Sequence, residues 1–526
     1  MKILVSDKLA KEGVAALQTE PGIQVDVITN LTKEELIAQI GEYDALVVRS
    51  STKVTAEVIE AGTKLKAIGR AGVGVDNIDV KAATKKGIIV LNAPEGNTIS
   101  TAEHTMAMLM SLSRQTPQAC TTLKNGVWDK NKFVGVELYN KTLGVIGLGR
   151  IGAEVAKRAN AFNMKVLGYD PFIAQERAEK LGVQLAEVAE IFQKADFITF
   201  HTPLNDDTRY LVNAETIKTM KPGVRIINCA RGGIVNEKDL YDAIVEGKVA
   251  GAALDVYEKE PDTENPLFQL DQVVVTPHLG ASTKEAQVNV AIDVAEQILI
   301  ALKGEPVKTA VNIPAISPEL LKIVQPYLEL AEKLGRLHGQ FADGRIEGIE
   351  VIYSGDIANQ ATAPITTTVL KGIFDVILNE QVNLVNAPFI AQERAIKVAE
   401  VKTTAAQDFT NLITVNLKTD KGQLTVAGTI FGKNNMRIVE IDGYHIDLVP
   451  APYLIFTRHE DKPGVIGHTG TVLGEKGVNI ARMQVGRKDV GGEAIMILEI
   501  DHEVNKEVLK AIGAMEGIKV AKFINL

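Results

Sequence analysis

The sequence predicts an α/β chain: two doubly wound parallel-sheet units, then two α+β units, the last of them ferredoxin-like. Three observations carry this. Short Val- and Ile-rich runs alternate with helical patterns twice over, up to about Val275. A break with Pro306, Pro314 and Pro318 follows. From Tyr453 onward the pattern is βαββαβ.

The first alternating run places strands at Lys2–Ser6, Gln24–Ile28, Ala45–Arg49, Ala67–Arg70 and Ile88–Asn92, with helical segments such as Lys33–Ile40 between them. Strand–helix alternation of this kind builds a parallel sheet. A long apolar helix, Ile99–Arg114, leads into the second run. Its strands are Leu143–Ile146, Lys165–Tyr169, Phe197–His201, Arg225–Asn228, Gly251–Leu254 and Val273–Thr276. The helix Lys284–Lys303 is long enough to return the chain to the first unit. The expected division is 1–97 with 285–313, then 98–284, 314–450 and 451–526. Proline restricts its predecessor and ends helices, so 303–320 reads as a linker. The third unit opens with a helix and ends in antiparallel strands, with Lys421–Gly422 as the turn. In the fourth, the strand Tyr453–Arg458, helix Val465–Lys476, a hairpin about Gly491–Gly492, helix Lys506–Met515 and strand Lys519–Ile524 follow in order.

Composition narrows the function classes. Of 526 residues, 46% are hydrophobic and 23% charged, as in a globular protein. The formal charge is −9, without a basic stripe interleaved with aromatics, which argues against nucleic-acid binding. Cys120 and Cys229 are far apart, which provides neither a disulfide framework nor metal-ligand spacing. The expectation is no metal and a reducing cytoplasm. The N-terminus reads as a strand rather than a signal peptide. No stretch reaches the roughly 18 apolar residues of a membrane span.

The segment GVIGLGRIGAEVAKR places Gly147, Gly149 and Gly152, with Arg150 and Ile151 between them, directly after a strand and at the start of a helix. Gly147 permits a tight turn, Gly149 the approach of a pyrophosphate, and Gly152 close helix–strand packing. The helix N-terminus offers unpaired N–H groups to phosphate. Asp170 ends the next strand, about 20 residues on, where a carboxylate meets a ribose diol and repels a 2′-phosphate. The motif therefore points to NAD rather than NADP. A packing turn without ligand is the alternative.

Arg231, Glu260 and His278 each follow a predicted strand of this second unit, where open α/β sheets bind ligands. Oxidising a secondary alcohol needs a base for the hydroxyl proton, and imidazole suits that task. A carboxylate beside the imidazole orients it, and a guanidinium holds a substrate carboxylate through two hydrogen bonds. Spacing alone leaves open whether the three meet or are separate loop charges.

The stretches GLGRIG…YDP, HTPLNDDTRYLVN, INCARGGIVNE, ALDVYEKEP and TPHLGAST resemble, in order, the signatures of the D-2-hydroxyacid dehydrogenases. The resemblance implies Arg231 on the substrate carboxylate, Glu260 orienting His278, and His278 as acid/base. It also implies His201, Thr202 and Pro203 at the adenosine, and Cys229, Ala230, Asp255 and Gly280 along the nicotinamide side.

In the first unit, VVRSSTKV, IGRAGVGVDNID and APEGNTISTAEH bring Arg49, Ser50, Arg70, Gly74 and Asn97 to predicted strand ends. Two arginines, a hydroxyl, an amide and Gly-exposed N–H groups can cradle phosphate, although strand-end arginines are equally common as solvated charges. These stretches and the C-terminal extension are similar to the phosphoglycerate dehydrogenase branch of the family in its long form. That implies a flavodoxin-like substrate domain, a Rossmann cofactor domain, an intervening allosteric substrate-binding domain and an ACT domain. It implies oxidation of 3-phosphoglycerate to 3-phosphohydroxypyruvate, the first step of serine synthesis. In that branch Trp128 matches a residue inserted into a neighbouring subunit, with Lys130 reaching its active site, so a homo-oligomer, dimer or tetramer, is expected.

The stretch RHEDKPGVIGHTGTVLGEKGVNIARMQ looks like an ACT domain. The resemblance implies serine bound between two such domains by His459, Asp461 and Asn479, giving feedback inhibition. In the intervening unit the family's anion pattern is partly matched: Arg437 is present, but Val449 stands where a second Arg is expected. Two other readings remain: a glyoxylate or hydroxypyruvate reductase with a regulatory tail, and an NAD-sensing corepressor that works by binding partners.

Overall fold

In the computed structural model, residues 1–314, 318–405 and 408–526 are described; residues 315–317 of the Pro-rich linker lie outside them. The first sheet contains β1 (Lys2–Val5), β2 (Gln24–Val27), β3 (Ala45–Val48), β4 (Ala67–Arg70) and β5 (Ile89–Asn92). Its order is β2-β1-β3-β4-β5, with every pair parallel. This is the flavodoxin-like arrangement. The central strand β3 reads Ala-Leu-Val-Val and is buried at every position, because helices cover both faces of such a sheet. The helix Lys33–Gln39 starts at a capping box in which Thr32 and Glu35 satisfy each other's backbone N–H groups.

The helix Thr98–Arg114 carries the chain out of this sheet and buries Ala102, Met106 and Leu109 against the second. That sheet contains β6 (Thr142–Ile146), β7 (Lys165–Tyr169), β8 (Gln184–Leu185), β9 (Phe197–Phe200), β10 (Val224–Asn228), β11 (Val249–Leu254) and β12 (Val273–Val275). The order β12-β11-β10-β9-β6-β7-β8 is that of a Rossmann sheet with one strand added at its edge. The short strand β8 lacks the Val/Ile run of its neighbours and was not expected from the sequence.

The helix Lys284–Leu302 returns to the first sheet, where Val290, Val294 and Ile298 join a core with Ile3, Val5 and Val47. Val294 and Ile298 are fully buried. Each contributes about 1.5–3 kcal/mol. Asn312 extends the attachment, accepting from the Val90 N–H and donating to the Ile88 carbonyl, both at 2.9 Å. With one helix leaving and one returning, loops at the C-terminal ends of both sheets line one cleft.

The third sheet contains β13 (Ile346–Gly355), β14 (Lys397–Thr403), β15 (Asn411–Thr419), β16 (Gly422–Phe431), β17 (Asn435–Ile441) and β18 (Tyr444–Leu448). Its order is β14-β13-β15-β16-β17-β18. The sheet is mixed rather than antiparallel throughout, since β14 pairs parallel with β13. The unit ends in antiparallel strands, β15 to β18, as expected, but the β15–β16 turn differs from expectation. Thr419 pairs with Gly422, so Asp420 and Lys421 form the loop and Gly422 begins the strand. The Asp420 carboxylate explains the shift, because it accepts from the Arg345 N–H and ties the loop to β13.

The fourth sheet contains β19 (Tyr453–Glu460), β20 (Ile480–Arg487), β21 (Glu493–Ile500) and β22 (Ile518–Asn525), ordered β20-β21-β19-β22 and antiparallel. Helices Val465–Glu475 and Lys506–Gly513 cover one face. On the other face, Leu454, Phe456, Ile495 and Ile497 join the core of the third unit, and Phe341 meets Phe456 edge-on with centroids 4.7 Å apart. Among the described residues, no helix is long and apolar enough to cross a membrane.

Candidate active site

The glycines of the β6–helix turn have separate geometric reasons. Gly147 has φ +94°, and a side chain there would meet the His201 carbonyl at 2.6 Å. A Cβ on Gly152 would lie 1.9 Å from the Gly147 carbonyl oxygen. A Cβ on Gly149 would face open space. Gly149 is the N-cap of the helix Arg150–Ala161 and makes no side-chain cap, so the first N–H groups of the helix remain available to an anion. The Asp170 carboxylate accepts from the Leu148 and Phe172 N–H groups, each at 2.9 Å, which fixes it beside the glycine turn. This cradle fits an adenine dinucleotide with a free ribose diol. Arg150 pairs across the cleft with Glu95 at 3.3 Å; both are exposed, so the pair is worth little on its own.

Burial pulls the His201 imidazole down to about 3, so the ring is neutral at physiological pH. Thr202 Oγ1 is buried without a hydrogen-bond partner, while Pro203 is exposed. Burial pushes the Cys229 thiol well above its ordinary range, which removes it as a nucleophile. The neighbouring Ala230 carbonyl accepts from Arg231 Nη1 at 2.7 Å. Asp255 is fully buried. Burial raises its pKa, but donation from His104, Thr276 and the Leu279 N–H outweighs this and holds it below the usual carboxylate value. Its second oxygen accepts from the Gly280 N–H at 2.9 Å.

His278 stands in the loop after β12 with φ +54°. Its Nδ1 is 2.6 Å from Glu260 Oε2, and the other Glu260 oxygen accepts from the Tyr257 N–H at 2.9 Å. The bond to Glu260 raises the imidazole pKa above its ordinary value. Burial raises the Glu260 carboxyl, but bonds from His278 and Tyr257 bring it below its ordinary value. Since Nδ1–H faces the carboxylate, Nε2 remains to exchange a proton within the cleft.

A cavity of about 790 Å³ in the cleft is lined by Arg231, Glu260 and His278 from the second unit and by Arg49, Ser50, Arg70, Gly74 and Asn97 from the first. The three ionisable groups and the five anion-site candidates are therefore together. Asn97 Oδ1 is buried without a partner, an acceptor left open at this wall. Burial, along with Arg231 and Arg49 nearby, lowers the Arg70 pKa, partly offset by Asp76. Its Nη1 donates to the Gly74 carbonyl. The Arg49 backbone is held by Asp7, at 2.6 Å, and by Asn77, at 2.7 Å. The wall also holds polar residues that the sequence did not single out, among them Lys53, Asn77 and Asp76, the last 3.3 Å from Arg231 Nε across the cleft. The run Val-Asp-Asn-Ile-Asp was the available signal, but nothing in it identifies a partner in another unit.

The C-terminal candidates do not converge within one chain. Asp461 follows β19 and accepts from the Gly491 N–H at 3.2 Å, with Arg487 Nη1 at 3.4 Å. Asn479 precedes β20 and donates to Asp501 at 2.8 Å. Arg487 ends β20, so about 25 Å of strand separates the two sites. His459 is buried, its Nδ1 has no hydrogen-bond partner, and burial lowers its pKa. In the third unit, Arg437 is occupied by Asp447 at 2.9 Å and by Asn435, and offers no free fork to an anion.

Three family models match parts of the chain. Residues 106–280 match the D-isomer specific 2-hydroxyacid dehydrogenase NAD binding domain, 323–442 the D-3-phosphoglycerate dehydrogenase intervening domain, and 453–517 the ACT domain. The chain is 50% identical to the D-3-phosphoglycerate dehydrogenase of Methanocaldococcus jannaschii, with 100% of each chain covered. It is 48% identical to that of Synechocystis sp., covering 100% of this chain and 95% of the relative. Among solved structures, a glyoxylate reductase from Paecilomyes thermophila superposes with a TM-score of 0.55 at 30% identity, covering 59% of this chain and 98% of that one.

Proposed function

Since the chain belongs to the D-3-phosphoglycerate dehydrogenase family of NAD-dependent 2-hydroxyacid dehydrogenases, we propose that its cleft oxidises 3-phospho-D-glycerate to 3-phosphohydroxypyruvate. The observation that carries this reading is the single cavity in which the His278–Glu260 pair and Arg231 face Arg49 and Arg70. A substrate with a carboxylate at one end and a phosphate at the other matches that distribution of charge. Arg231 holds the carboxylate and draws electron density from the adjacent carbon–oxygen bond. His278 takes the hydroxyl proton on Nε2, and Glu260 stabilises the resulting imidazolium. When bound, NAD supplies the hydride acceptor. The glycine turn orients it and Asp170 meets its ribose.

The phosphate end can be tested directly. Charge-assisted hydrogen bonds are each worth about 1.5–3 kcal/mol, so combining Arg49→Ala with Arg70→Ala is expected to lower kcat/KM for 3-phosphoglycerate by at least about 10²-fold. Turnover of a non-phosphorylated 2-hydroxyacid is expected to change little. A substrate panel with and without phosphate checks this. Unchanged preference would replace the reading with a reductase of non-phosphorylated 2-oxoacids.

The tail supports regulation by serine between two copies. Asp461 and Asn479 lie at opposite ends of one sheet, so a site using both draws one from each of two chains. Self-association is further supported by a surface around Trp128, which is 82% exposed beside Leu123, Val127 and Lys130. Serine titration is expected to inhibit the wild type and to lose potency in Asn479→Ala. Equal insensitivity in both would leave the tail a structural element.

A further inference from the structure

We infer that His104 is a positioning residue for the His278 loop, acting through Asp255; this rests on the acid/base reading of His278. His104 belongs to the helix Thr98–Arg114, which links the two cleft-forming units and has Asn97 at its start. Its Nε2 lies 3.1 Å from Asp255 Oδ1 and 3.2 Å from Thr276 Oγ1. An ionised carboxylate only accepts, so the His104 ring carries its proton on Nε2. Asp255 in turn accepts from Thr276 Oγ1 at 2.6 Å, the Leu279 N–H at 2.7 Å and the Gly280 N–H at 2.9 Å. Those three groups flank His278 on both sides. The same helix supplies Thr101, whose hydroxyl donates to the Gly280 carbonyl at 3.2 Å.

The loop needs this clamp. His278 holds φ +54°, a conformation a non-Gly residue keeps only when its surroundings impose it. Asp255 is the buried post to which the loop is tied, and its charge needs donors. Without His104 it loses one of its four donors among the described residues, the one that lies outside the 276–280 segment. The loop then relaxes, and the 2.6 Å contact between His278 and Glu260 is the distance most exposed to that change. The groups facing His278 are Glu260 and Asp255, which favour its protonated form, and Arg231, which opposes it.

The test compares His104→Leu, which removes the donor, with His104→Gln, whose amide can place an N–H near the same point. Expected for His104→Leu is a fall in kcat of about 10²-fold, the scale of a small misplacement at a reacting group, with KM nearly unchanged. The acidic limb of the oxidation profile is expected to move to lower pH as His278 loses the hold of Glu260. His104→Gln is expected to restore both. A merely structural role would lower thermal stability without displacing the limb. Wild-type kcat and limb in His104→Leu would overturn the proposal, as would equal impairment in His104→Leu and His104→Gln. His278→Asn is run alongside: wild-type turnover there would refute the acid/base reading itself, whereas loss there with a normal His104→Leu would refute only the clamp.

Discussion

Replacing His278 with Asn is expected to reduce kcat for 3-phosphoglycerate oxidation by about 10²–10⁴-fold, the usual range for losing a positioned general base. Asn is the informative choice because it tolerates the left-handed backbone at this position, so the loop keeps its shape while the titrating nitrogen is lost. Cofactor binding, read by NADH fluorescence, is expected to stay near the wild-type value, since Gly147, Gly149, Gly152 and Asp170 are untouched. The wild-type pH profile carries a second expectation. Oxidation requires the neutral imidazole, and Glu260 holds the His278 proton more tightly than water does. The rate therefore rises with pH through a midpoint above the ordinary value of about 6.5. In His278→Asn that limb disappears. An ordinary rate that still follows the limb would show that another group accepts the proton.

What the sequence made legible was what depends on local chemistry. Gly147, Gly149 and Gly152 could be read because each answers a separate steric need that spacing encodes. Most strands of the two parallel sheets could be read because burial on both faces demands nearly continuous apolar runs, as in β3 and β9, whereas the two-residue β8 has no such run. The strand Lys397–Thr403 could not: it is an edge strand, largely exposed along its length, so no hydrophobic alternation marks it. Asp76 was missed for a different reason. Its role depends on Arg231, in another unit, and no period in the sequence records a contact across a cleft. His104 carries no signal of its own in the sequence, and only the fold brings Asp255 beside it. The resemblance places Asp255 along the nicotinamide side, and the structure adds that its carboxylate bonds to the loop that carries His278. Residue types thus announce chemistry, and topology decides which chemistries meet.

Arg231→Ala is the second large effect, and its size follows from what the truncation leaves behind. The guanidinium lies against Gly74, where any Cβ would collide with it, and pairs with Asp76 at 3.3 Å. Removing it takes away the fork that receives the substrate carboxylate and leaves the Asp76 carboxylate in the same cavity to repel that substrate. Each charge-assisted hydrogen bond lost to the substrate carboxylate is worth about 1.5–3 kcal/mol, and the fork supplies two. A loss of about 10²–10³-fold in kcat/KM is therefore expected, divided between KM, for lost binding, and kcat, for lost polarisation of the reacting carbon. Arg231→Lys keeps the charge but not the planar fork, so it is expected to recover KM more than kcat. Adding Asp76→Ala to Arg231→Ala is expected to restore part of the affinity by removing the repulsion. Steady-state kinetics on the three variants separate these contributions. Wild-type KM and kcat in Arg231→Ala would mean that the carboxylate is held elsewhere, with Arg49 and Arg70 the remaining guanidinium groups lining the cavity.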